Sequence, residues 1–180
     1  MSDGKIEVFN LNVHSIDLKS ITDKMQKAFE KGLTFEDDIY DKDFMYLTAP
    51  YDGIIDMLDA VKAQGIKTAV LSNKDHSTAK KVSDQLFADG LIDLCMGARH
   101  GVPLKPEPDA VFEIMEHFGV SKDECLYIGD TATDIKTAKN AGLYSIGVLW
   151  GFRDEAELKS AGADVIISDP MKIAEIAKTK

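Results

Sequence analysis

A chain of 180 residues is long enough to bury a sizeable core in one domain, and its 44% hydrophobic and 29% charged residues are ordinary for a soluble globular protein. The net charge of −10 argues against nucleic acid as a partner, because a polyanion binder carries an excess of cations. A small phosphorylated molecule stays allowed, since one local site can be positive on an acidic chain.

The N-terminus, MSDGKIEVF, has no long apolar stretch, and no window approaches eighteen apolar residues. Neither secretion nor a membrane span is therefore expected, and a cytoplasmic location is. Cys95 and Cys125 lie inside the apolar runs LIDLCMGA and DECLYIG, without the spacing of a metal clip or a redox pair. They are expected to be buried free thiols in a reducing compartment.

From residue 51 the pattern alternates. YDGIIDMLDAVKAQG has apolar residues at helical spacing and a glycine stop at Gly65; KTAVLSN (67–73) is a β-leaning run ended by Asn73. HSTAKKVSDQLFADG predicts a second amphipathic helix stopped at Gly90, followed by the short apolar run LIDLCMG. PEPDAVFEIMEHFG begins with prolines and ends at Gly119, as a helix should. ECLYIGD, YSIGVLW and ADVIISD are three more short runs, with helices predicted near 132–141 and 153–161 and a last one after Pro170. Short apolar runs alternating with helices are the signature of repeated βαβ units, so the expected fold is α/β, a doubly wound parallel sheet covered on both faces. No internal repeat or low-complexity linker interrupts it, and residues 1–180 are expected to form a single core domain.

In such a sheet ligands bind beyond the carboxyl ends of the strands, so the polar residues ending each run converge on one edge. Those residues are Ser72 and Asn73 after one strand, Asp130 and Asp134 after another, and Lys105 in the loop GVPLKPEPD. Together they suit a divalent cation and a phosphate dianion held side by side. Asp130 would bind the metal, and Asp134, one helical turn on, would touch it through water or orient the lysine. Lys105 would neutralise phosphate charge, while Ser72 and the backbone around Asn73 would donate to phosphate oxygens. Each also has a plainer explanation: helix capping for Asp134, turn chemistry for Ser72 and Asn73, a solvated surface position for Lys105.

In their order, AVLSNK, GVPLKPEPD and YIGDTATDIKTAKNAG resemble the second, third and fourth motifs of the haloacid dehalogenase superfamily. LTAPYDGIIDMLDAVKAQGIK and VLWGFRDEAELKSAGADVIISDP resemble its phosphoglycolate phosphatase-like branch, and the likeness runs from about residue 47 to 171. The resemblance implies a Rossmann-like core, a magnesium cofactor (Mg2+) and hydrolysis of phosphate monoesters. It assigns Ser72 and Asn73 to phosphate binding, Lys105 to charge stabilisation, Asp130 to the metal and Asp134 to the supporting acid.

The family's first motif places a nucleophilic aspartate on the first strand and an acid/base aspartate two residues later. In KIEVFNLNVHSID, Asn10 falls at the first of these positions and Asn12 at the second, Val13 and His14 replace the usual Gly-Thr, and Asp17 matches a later acid. An amide is a poor nucleophile and has no proton to exchange near neutral pH, so turnover is expected to be low. Where this branch inserts a helical cap, the chain offers only TFEDDIYDKDFMYLTAP, so residues 33–50 are expected to be a short remnant. The crevice would stand open, with a second copy or a protein partner over the uncapped face. Two functions follow: a magnesium-dependent phosphatase of low activity, or a non-catalytic phosphate- and metal-binding regulatory protein.

Overall fold

The computed structural model describes residues 6–9 and 49–179. Two compact units divide the chain: Met1–Asn12 with Asp52–Lys180, and Val13–Tyr51, of which 49–51 alone are described. The positions expected to replace the first motif, Asn10 and Asn12, therefore lie outside the described residues, as does nearly all of the expected cap remnant at 33–50.

In the first unit, β1 (Ile6–Phe9) is followed by α1 (Ile54–Lys62), β2 (Lys67–Asp75), α2 (His76–Leu86) and β3 (Leu94–Ala98). Then come α3 (Asp109–Phe118), β4 (Cys125–Gly129), α4 (Ala132–Ala141), β5 (Tyr144–Val148), α5 (Glu155–Ser160), β6 (Val165–Ile167) and α6 (Met171–Thr179). The strands form one sheet in the order β3-β2-β1-β4-β5-β6, and every neighbouring pair is parallel. This is the doubly wound, Rossmann-like α/β arrangement expected, and the order reverses between β1 and β4, where such sheets open a ligand crevice.

Period-two alternation along the strands divides the core in two. On β4, Cys125 and Tyr127 join Ala69 and Leu71 of β2 under α3 and α4, with Val111, Ile114, Ala138 and Ala141. Leu126 and Ile128 point the other way, to Met57, Leu58 and Val61 of α1 and to Ile173 and Ala177 of α6. Each helix closes its face because its apolar residues recur every three to four positions. Burial pushes the Cys125 thiol up to about 12 and that of half-buried Cys95 to about 11, so both are inert free thiols.

Two boundaries differ from the expected ones. Helix α2 stops at Leu86, before Gly90, because Phe87 adopts extended backbone and packs against the α1-side core. Gly90 instead supplies a positive φ of 88° in the loop that follows. Strand β2 continues past Asn73 to Asp75, with its pairing to β3 shifted between Leu71 and Asp75. By contrast, α4 has the expected bounds, with Gly142 in the left-handed region at φ 75° as its stop. Among the described residues no helix is long and apolar enough to cross a membrane.

Candidate active site

Of the predicted residues that are described, Ser72 and Asn73 lie in the carboxyl-end half of β2 and Asp130 directly after β4. Lys105 arrives on the β3–α3 loop, which Asn73 holds in place. The Asn73 amide donates to the Lys105 carbonyl (3.1 Å) and accepts from the Lys105 N–H (2.9 Å). Two residues of this loop make further bonds, Asn140 donating to the Pro106 carbonyl (2.9 Å) and the Lys105 ammonium to the Leu71 carbonyl (3.2 Å). Asn73 thus serves the lysine through its side chain, a role its place after an apolar run did not announce.

The Lys105 ammonium also donates to Asp134 Oδ1 at 2.8 Å, and the two side chains are 6% and 1% exposed. Asp134 Oδ2 accepts from the Thr131 hydroxyl (2.6 Å) and the Thr131 N–H (3.2 Å), and the Asp134 N–H returns a bond to the Thr131 hydroxyl (3.3 Å). This reciprocal capping box starts α4, so the capping and lysine-orienting roles are both present in one residue. Both Asp134 oxygens thus already accept hydrogen bonds. A Cβ at Gly129 would lie 2.1 Å from the Asp134 Cβ, so only glycine lets β4 pass this close.

Asp130 is fully buried at the end of β4. Burial raises its pKa above the ordinary carboxylate range; the Phe152 N–H pulls it back, the Asp134 charge raises it again, and the Lys105 charge opposes. The Phe152 N–H donates to Asp130 Oδ2 at 2.7 Å. Gly151 permits that approach, because a Cβ there would sit 2.2 Å from the same oxygen. Ser72 is buried and accepts from the Lys74 N–H at 3.2 Å, which leaves its own hydroxyl hydrogen to donate.

The donor chemistry of Asp130 suits a hard divalent cation: it is an oxygen ligand whose charged form is costly in a buried place, a cost that a cation offsets. Among the described residues no group of three or more His, Cys, Asp or Glu is arranged to hold a metal ion. Among the described residues, further ligands would be neutral oxygens or water.

The sequence did not single out Thr131, Phe152 or Glu157. Glu157 Oε1 accepts from the Ala132 N–H at 3.0 Å, at the first residue of α4. The segment VLWGFRDEAEL, noted above for its resemblance, holds Gly151, Phe152 and Glu157.

Comparison with known proteins identifies the family. A family model described as haloacid dehalogenase-like hydrolase matches residues 6–148. A phosphoglycolate phosphatase of Aquifex aeolicus is 35% identical over 129 residues, covering 72% of this chain and 59% of that protein. A phosphoglycolate phosphatase of Xylella fastidiosa is 30% identical over 125 residues, covering 69% and 55%. The chain thus spans less than three fifths of the length of these relatives. The solved structure of a haloacid dehalogenase-like family hydrolase from Streptococcus pneumoniae matches over 100% of both chains, with a TM-score of 0.74 at 20% identity, and bears out the fold. The chain belongs to the haloacid dehalogenase-like hydrolase family.

Proposed function

We propose that this protein is a phosphoglycolate phosphatase-like phosphomonoesterase that binds a small phosphorylated molecule with Mg2+ and turns it over slowly. The observation that carries the proposal is the buried Lys105–Asp134 pair at 2.8 Å beside the buried Asp130. Two acids and one cation, all shielded from water, are costly as a structural device and suit a doubly charged guest and its metal.

Each residue has one task. Lys105 neutralises a phosphate oxygen, held in place by Asn73 and Asp134. Ser72 donates its hydroxyl hydrogen to a second oxygen, and Asp130 holds the metal with Asp134 in support. Magnesium, when bound, would screen the charge of the phosphate. Asn10 and Asn12 stand where the resemblance places the nucleophile and the acid/base, and an amide at either position attacks phosphorus poorly and relays no proton near neutral pH. That substitution favours a second reading, a phosphate- and metal-binding regulatory protein without turnover. Either one fits a cytoplasmic protein, working as a homo-oligomer or with a protein partner over an uncapped face.

An aryl phosphate assay with magnesium tests the choice, run on the unaltered chain, on Asp130→Ala and on Asn10→Asp/Asn12→Asp. Little activity is expected from the first, none from Asp130→Ala, and a partial gain from the double variant. Brisk turnover by the unaltered chain that Asp130→Ala abolishes would show that another group attacks. Turnover that survives Asp130→Ala would remove Asp130 from the site.

A further inference from the structure

We propose that Glu157 is a positioning residue for Asp130 and that it closes the N-terminus of α4 to phosphate; this rests on the phosphate-and-magnesium reading above. Ala132 is the first residue of α4, and its N–H has no carbonyl partner within the helix. Glu157 supplies one from 25 residues away, through Oε1 at 3.0 Å. Its own backbone is held by Asp154, whose side chain caps α5 and accepts from the Glu157 N–H at 2.9 Å. Its second oxygen faces the Arg153 guanidinium at 3.6 Å.

The turn that carries Asp130 is therefore gripped from one segment. Phe152 donates to the Asp130 carboxylate, and Glu157 holds the N–H two residues further on. With Thr131 tied to Asp134, each of the residues 130, 131 and 132 is anchored. Groups that orient a metal ligand in this way set metal affinity without touching the metal.

A second consequence follows from charge. The exposed N–H groups and dipole of a helix N-terminus attract anions. At α4 a carboxylate already takes the Ala132 N–H, so that N–H does not compete with Lys105 and Ser72 for a phosphate. A helix cap alone would do neither of these things measurably at Asp130 or Lys105.

The test uses the full chain labelled with nitrogen-15, as the unaltered protein, Glu157→Gln and Glu157→Ala, titrated with magnesium chloride and separately with inorganic phosphate. Magnesium is expected to shift the Asp130 and Phe152 amide signals. Its affinity should fall about tenfold in Glu157→Ala and stay within about twofold in Glu157→Gln, which keeps the acceptor. Phosphate should shift the Lys105 signal in all three proteins, and the Ala132 signal in Glu157→Ala alone. Unchanged magnesium affinity in Glu157→Ala overturns the proposal, and so does a Glu157→Gln protein as weak as Glu157→Ala. An Ala132 signal indifferent to phosphate in Glu157→Ala overturns the second half. If the unaltered protein answers neither ion, the phosphate-and-magnesium reading falls, and this inference falls with it.

Discussion

The two edges of the sheet use the same residue types in opposite ways. At the amino-terminal edge an aspartate just before a strand clamps the start of the neighbouring strand, and the device occurs twice. Asp93, before β3, accepts from the Thr68 N–H (2.9 Å), the Thr68 hydroxyl (3.2 Å), Lys67 (3.0 Å) and Lys62. Asp164, before β6, accepts from the Ser145 N–H (2.8 Å), the Ser145 hydroxyl (2.6 Å) and Lys139 (2.7 Å). Burial opposes the charge of both, yet the lysine and strand-end donors outweigh it and lower both pKa values. At the carboxyl-terminal edge, Asp130 has its pKa raised, chiefly by burial. Acids whose charge the fold satisfies hold strands together. The acid whose charge burial disfavours stands at the edge where the proposed phosphate and cation would sit.

The sharpest way to break this comparison is to remove the lysine paired with a carboxyl-edge acid. Lys105→Met removes one partner of a pair whose side chains are 6% and 1% exposed. Breaking a buried pair from one side costs about 3–5 kcal/mol, the largest loss expected of any change considered. Urea unfolding would show it, and phosphate binding should vanish in the same variant. A loss below about 1 kcal/mol, the level of an exposed pair, would mean that water reaches Asp134 and that the two edges differ less than claimed.

The fold was legible because its signals are local. Gly129, Gly142 and the run between them carry a strand end, a helix and its stop within fourteen residues, and the structure shows β4 and α4 there. Ser72, Lys105, Asp130 and Asp134 could be grouped because a parallel sheet sends all its strand ends to one edge. What escaped is what depends on pairing across the chain. Nothing in the neighbours of Asn73 says that its amide will face a backbone 32 residues away, and Glu157 reads as one surface acid among several in RDEAEL. The strand-start clamps escaped for a related reason. An aspartate before an apolar run reads as a turn residue, and only the fold places Thr68 and Ser145 opposite it.

The amino-terminal edge makes a prediction of opposite sign to that of Asp130, whose pKa is raised. Asp93 has its pKa lowered from 3.8 to about 2. An acid depressed in the folded state adds stability above its unfolded pKa and loses it as pH falls through the folded value. That stability is thus whole above about pH 4 and disappears toward pH 2. At 1.36 kcal/mol per unit the shift corresponds to about 2 kcal/mol. Asp93→Asn should lower the unfolding free energy by about that amount at pH 6 and by little near pH 2, while leaving phosphate binding intact. A deficit that persists undiminished in acid would show that the clamp works through geometry, with its charge irrelevant.

Ser145→Ala tests the second clamp more gently. The hydroxyl is fully buried, donates to Asp164 Oδ2 at 2.6 Å and accepts from the Asp164 N–H at 3.0 Å. Its removal leaves neither partner orphaned. The carboxylate keeps Lys139 and the Ser145 N–H, and the Asp164 N–H keeps the Ser145 carbonyl at 3.2 Å. Loss of one satisfied hydrogen bond with its partners still occupied costs about 1 kcal/mol, the smallest effect expected of the three. Thermal unfolding would register it as a modest drop in Tm, with phosphate binding unchanged. If Ser145→Ala instead weakened phosphate binding, the clamp would be coupled to the site through α4, whose two ends carry Lys139 and Asp134. The two edges would then be one device, and the division of labour between them would have to be given up.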